Sequence, residues 1–346
     1  MRENGTQRIH WIDTAKGMLI VMVVYGHVVF SGSLRQYFYS FHMPAFFIIS
    51  GMLLKQSSAL WKPYKEVLCS KTVSLLVPLM FFELFGILTN ILQKGTKLNF
   101  FGYATNTLTL NLNCGEGWFL WSLFIGEALL IGLLRLIRHR QAALATSCLL
   151  AVLMILGKDV FPRFGPTGFG LLFLVIGFCA SDMLSKKYSV PTLIFACAVS
   201  IASCFLNGKV DLIRVVYGKS LLLFFVGAVS GTMLLFQFCM RCSLELFTYF
   251  GINSLTILGT HNLFILPLKS ILGTAEFPLW LAPLVFFGTL LVECGLIPIA
   301  NRVVPLFVGK RKPVTAMDHI LCSPGYVMVP LVLLLQILIR LGLFAA

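Results

Sequence analysis

The chain is predicted to be all-α: a polytopic transmembrane helical bundle of about ten or eleven spans, with a cytoplasmic N-terminus. Three observations predict it. Apolar windows of about 20 residues, the length of helix that crosses a bilayer, recur from end to end of the 346 residues. Only 12% of the residues are charged and 58% are hydrophobic, whereas soluble chains average about 25% charged. The Lys and Arg residues also gather in alternate loops, which sets orientation in a membrane. The net charge of +14 therefore reads as topology and not as a nucleic-acid surface. No polar stretch is long enough to build a second core. Residues 1–346 read as a single membrane domain, with a core at 10–300 and a cytoplasmic segment from 301 leading to a candidate extra helix.

The spans follow in order. Residues 14–31 open the series, and the lack of a small-residue cleavage pattern after them argues against a removable signal. The second span, 36–54, holds Pro44 and Gly51 and is expected to be broken or re-entrant. Spans at 72–93, 117–135, 142–157, 166–184, 190–206, 219–240, 247–269 and 279–299 follow, and 327–345 is the last. The fifth and seventh are short. An inside N-terminus puts Lys16, the Lys55–Lys71 group, Arg135–Arg140, Lys186, Lys187, Arg241 and the Arg302–Lys312 group on one side. Ten Cys are present, several inside apolar segments, where thiols act as small hydrophobes. Cys239 and Cys242 lack a second ligand pair. Neither disulfides nor a metal is expected.

Ionisable groups are expensive in a bilayer and mark function there. Lys16 and His27 lie eleven residues apart in the first span, hence on one helix face and about 16 Å apart along the axis. His27, in the outer half, is a candidate general base, since a buried neutral imidazole takes a proton from a hydroxyl near neutral pH. Lys16, near the inner interface, suits a phosphate, and Asp13 one turn earlier can neutralise it. Ile20 and Val23 share that face and are expected to line an interior tunnel, with Glu127, Trp118 and His261 on its other walls. In the second span His42 falls near the depth of His27, with Ser50 deeper. Glu116 stands at the outer mouth of the fourth span beside Trp118, and Glu127, well inside it, needs a cation, for which Lys16 is the candidate. Trp118 by itself reads as an interfacial anchor. Lys71 begins the third span. Asn253, Ser254 and His261 lie in the ninth, where interhelical hydrogen bonding is the plainer reading. No phosphate-binding loop, dinucleotide fingerprint, nucleophile elbow or zinc-protease spacing is present.

Asp13-Thr14-Ala15-Lys16-Gly17 with His27, Phe41-His42-Met43-Pro44-Ala45-Phe46-Phe47 with Ser50-Gly51, Lys71 to Pro78, Trp118-Phe119-Leu120, and Asn253-Ser254-Leu255 with His261 occur in this order. Together they resemble the integral-membrane acyltransferase 3 family, and within it the fucose 4-O-acetylase-like branch. The resemblance implies about ten spans and transfer of an acyl group, commonly acetyl from acetyl-CoA, to a hydroxyl of a cell-envelope glycan. It implies a catalytic histidine at His27 and a basic residue at Lys16. Much of the family carries Arg there; Lys keeps the charge and loses the bidentate fork.

The expectation is thus a multi-pass O-acyltransferase of the bacterial cytoplasmic membrane, taking acyl-CoA from inside and a glycan or lipid-linked sugar from outside. Glu116 and His261 join His27 as catalytic candidates. Lys16, Lys71, Asp13 and Glu127 are donor-side candidates, and His42, Ser50, Trp118, Asn253 and Ser254 are candidates for the acceptor or oxyanion. The rival readings are a polysaccharide or lipid-linked-sugar transporter or flippase, and a catalytically silent partner in glycan assembly.

Overall fold

The computed structural model describes residues 9–29, 31–94, 117–159, 163–242 and 244–310, with 88–94 as backbone only. Regular structure among them is helical. In order come α1 (His10–Val28), α2 (Ser33–Gln56), α3 (Tyr64–Lys71), α4 (Val77–Lys94), α5 (Gly117–Leu136), α6 (Arg140–Leu156), α7 (Phe164–Leu184), α8 (Val190–Asn207), α9 (Leu221–Cys239), α10 (Glu245–Ile252), α11 (Ser254–Thr260), α12 (Asn262–Leu272) and α13 (Ala282–Val303). Among the described residues eight helical stretches are long and apolar enough to cross a membrane, and α1 and α6 add 19 and 17 residues. The first ten predicted spans each coincide with helix; 327–345 and Glu116 lie outside the described residues.

The second span is not broken. Helix α2 runs unbroken past Pro44, as membrane helices do where neighbours satisfy the freed backbone. Gly51 does provide the expected close approach: a Cβ there would lie 2.1 Å from the Leu174 carbonyl of α7. The third span carries a widened π-turn at Thr72–Leu76. Pro78 follows it, and a proline ring clashes with the carbonyl four residues back, so the wider turn makes room. The ninth span is in three pieces. Asn253 turns its side chain back to Tyr249 O (2.8 Å) and His261 to Ile257 O (2.7 Å), each four residues earlier. These local bonds compete with the helix at its breaks.

The chain forms two compact units, one of residues up to Trp61 with Leu172–Ser254, the other of Lys62–Leu171 with residues from Leu255 on. In the first, α1 packs on α10, α2 and α9. The α1–α10 crossing is backbone on backbone: a Cβ at Gly17 would meet Phe247 O at 1.7 Å, and one at Gly251 would meet Asp13 O at 1.7 Å. Glycine alone fits there. Thr14 and Thr248 hydroxyls join the same helices at 2.8 Å, and His10 meets Glu245 at 3.6 Å. The contacts run in step, so α1 and α10 are parallel, as a first and a ninth span must be.

In the second unit, Tyr64 of α3 donates to Ala128 O of α5 (3.1 Å), Arg135 donates to Lys62 O, and Ser122 meets Thr167 at 3.0 Å. Helix α13 turns Val285, Thr289, Glu293 and Ile297 inward while Leu284, Phe287, Leu291 and Ile299 are exposed. An apolar outer face of this kind belongs against lipid. Cys69 is disulfide-bonded, which corrects the expectation of unpaired thiols; a pairing depends on tertiary placement that spacing does not encode. Cys239 and Cys242 are free.

Candidate functional site

The first unit holds Asp13, Lys16, His27, His42, Ser50, Asn253 and Ser254. Lys16 Nζ lies 3.8 Å from Asp13, with side-chain exposures of 27% and 8%. The cation is partly exposed and the carboxylate buried. At the other end of α1, His27 is half-buried. Between them Ile20 and Val23 are 1% and 5% exposed. Within this unit Ile20 and Val23 do not line an open path as expected: they are packed away where α10, α2 and α9 lie against α1. Lys16 and His27, on either side of them, are each partly exposed.

His42 Nδ1 lies 2.7 Å from Phe38 O. A carbonyl only accepts, so Nδ1 carries the hydrogen and Nε2 presents a lone pair. Neutral His42 thus offers Nε2 as an acceptor, not as a donor to an oxyanion. Its ring lies 4.9 Å from that of Tyr39. Asn253 follows Gly251, whose backbone touches Gly17. From Gly17 to His27 is about 15 Å along a helix. Asn253 and Ser254 accordingly sit toward the Lys16 half of α1, away from His27. Ser50 is half-buried.

The second unit holds Lys71, Trp118, Glu127 and His261. Lys71 Nζ lies 2.8 Å from Glu127 Oε2, whose side chain is 4% exposed. The partner of Glu127 is Lys71, not the expected Lys16. Depth along a span was legible, but not which way each side chain points. Trp118 is buried and meets Phe119 edge-on with ring centroids 6.2 Å apart, so it is not an exposed interfacial anchor. His261 is fully buried, and its Nδ1–H donates to Ile257 O at 2.7 Å.

Several polar groups went unnoticed in the sequence. Glu293 is fully buried with both carboxyl oxygens 2.8 and 3.0 Å from the Thr260 hydroxyl. A carboxyl in the middle of an apolar span was the available signal. Glu83 is buried beside Arg163; burial pushes that guanidinium down from its usual range and the carboxyl opposes the shift. Arg35 and Tyr39 of α2 both reach the Gly26 carbonyl, at 3.3 and 3.4 Å. The signal there was a cation at the end of a span opposite to Lys16.

No solved structure matches the chain. Among curated proteins it is 28% identical over 258 residues to Nodulation protein NolL of Sinorhizobium fredii (strain NBRC 101917 / NGR234), covering 66% of this chain and 68% of that protein. It is 31% identical over 130 residues to Nodulation protein NolL of Mesorhizobium japonicum, covering 34% of each. The family model described as an acyltransferase domain matches residues 9–297. The chain belongs to the acyltransferase 3 family and is a polytopic membrane acyltransferase.

Proposed function

We propose that the protein moves an acetyl group from cytoplasmic acetyl-CoA to a hydroxyl of a cell-envelope glycan or lipid-linked sugar at the bacterial cytoplasmic membrane. The observation that carries this reading is the pair of partly exposed groups on α1, within the matched acyltransferase domain: the Lys16 cation and the half-buried His27 imidazole. Lys16 anchors the donor phosphates, with Asn253 and Ser254 on the same side. His27 takes the proton of the acceptor hydroxyl. The alkoxide oxygen bonds to the acetyl carbonyl carbon, the C–S bond breaks, and the imidazolium returns the proton to the CoA thiolate. For the thioester to reach His27, the packed Ile20–Val23 stretch must part during turnover, and the proposal requires that movement.

Purified protein in nanodiscs, given labelled acetyl-CoA and envelope glycan, tests the reading. Label should appear in the glycan with release of free CoA thiol. A transporter or flippase would move glycan without consuming the donor, and that outcome would replace this proposal.

A further inference from the structure

Helix α1 ends at Val28, and a helix cannot itself satisfy its last carbonyls. Gly26 is one of these residues. Its carbonyl oxygen accepts from Arg35 Nε at 3.3 Å and from the Tyr39 hydroxyl at 3.4 Å. Each bond is long, but two donors converging on one oxygen fix its direction better than either does. The donors also hold each other, because the Arg35 guanidinium lies 3.9 Å over the Tyr39 ring centroid. Tyr39 also contacts His42, with ring centroids 4.9 Å apart. A Cβ on residue 26 would come within 2.5 Å of the Tyr39 ring, so the ring can sit there only over glycine. Gly32, at φ 107°, makes the turn that brings α2 back against α1.

Arg35 is badly placed by two ordinary rules. It stands in the first turn of α2, the positive end of that helix dipole. It also lies at the opposite end of its span from Lys55, against the bias that puts cations inside. Positions that break local rules together tend to be functional. What Arg35 and Tyr39 hold is the peptide immediately before His27.

We propose that Arg35 and Tyr39 are positioning residues for His27. By fixing the Gly26 carbonyl they fix the last turn of α1 and so the direction in which the imidazole projects. The inference rests on the reading of His27 as the base.

The test uses the full chain in nanodiscs, with ¹⁵N-labelled histidine and the His27 ring signals assigned through His27→Gln. Tyr39→Phe removes one donor and keeps the ring; Arg35→Gln removes the other and the cation. Both should shift the His27 ring signals and leave those of His10 and His139 in place. Both should lower kcat roughly ten- to a hundred-fold while the donor KM stays within about two-fold of wild type. The double variant should be no worse than the worse single one, as for residues acting as a unit. Unmoved His27 signals with wild-type kcat in both variants would overturn the proposal. Normal turnover by His27→Ala would instead sink the base assignment, and the ring signals would still report whether the clamp orients His27.

Discussion

Lys71 and Glu127 show what a charge costs inside this molecule. The 2.8 Å pair joins a cation that is 30% exposed to a carboxylate that is 4% exposed. Removing the cation alone strands a buried charge, which costs about 3–5 kcal/mol in a fully buried pair and less here because Lys71 reaches solvent. Lys71→Met should therefore lower the unfolding temperature in detergent clearly, and Glu127→Gln added to it should recover most of the loss. Equal stability of Lys71→Met and wild type would show the pair to be incidental. Lys16, 3.8 Å from Asp13, should behave differently. Lys16→Ala should raise the KM for acetyl-CoA several-fold with little effect on stability, and Lys16→Arg should be tolerated. A changed acceptor KM with an unchanged donor KM would reverse that assignment. Lys16, Lys71, His27, His42, Glu127 and His261 were all legible as intramembrane ionisable groups, because each interrupts an apolar run. Their pairing was not. Rise per residue yields depth, while the partner of Glu127 depends on the packing of α3 on α5.

The α1–α10 crossing is the tightest contact between elements in the first unit. The Gly17 and Gly251 positions have no room for a methyl group, and the obstacle is backbone, not a side chain that can swing aside. Gly17→Ala and Gly251→Ala should each destabilise by about 1–3 kcal/mol or more, as overpacking does, and the two costs should not add because both force apart the same helix contact. Thermal unfolding of both singles and the double checks this; additive losses would mean that the helices do not cross as described. The sequence located these helices through their apolar length. It misjudged the details where a local interaction outweighs the pattern. Pro44 stayed within a continuous helix, and the ninth span broke where the side chains of Asn253 and His261 bond four residues back.

The direction of the chain is consistent through the first unit. Parallel α1 and α10 require an even number of crossings by the time the chain returns to the side on which α1 began, as an unbroken series of spans supplies. Cysteine-accessibility labelling should place Lys16, Lys55 and Arg241 positions toward one face of the membrane and Arg35 toward the other; any of the first three appearing with Arg35 would contradict the alternation. On this frame the functional reading comes to rest on one helix, with a cation, an imidazole and a packed apolar stretch between them. Acyl transfer to envelope glycan from labelled acetyl-CoA, by wild type and His27→Ala side by side, tests it most directly. The wild type should transfer label and the variant, folded with an unchanged unfolding temperature, should lose roughly 10²–10⁴-fold in rate. Near-normal transfer by His27→Ala would contradict the account.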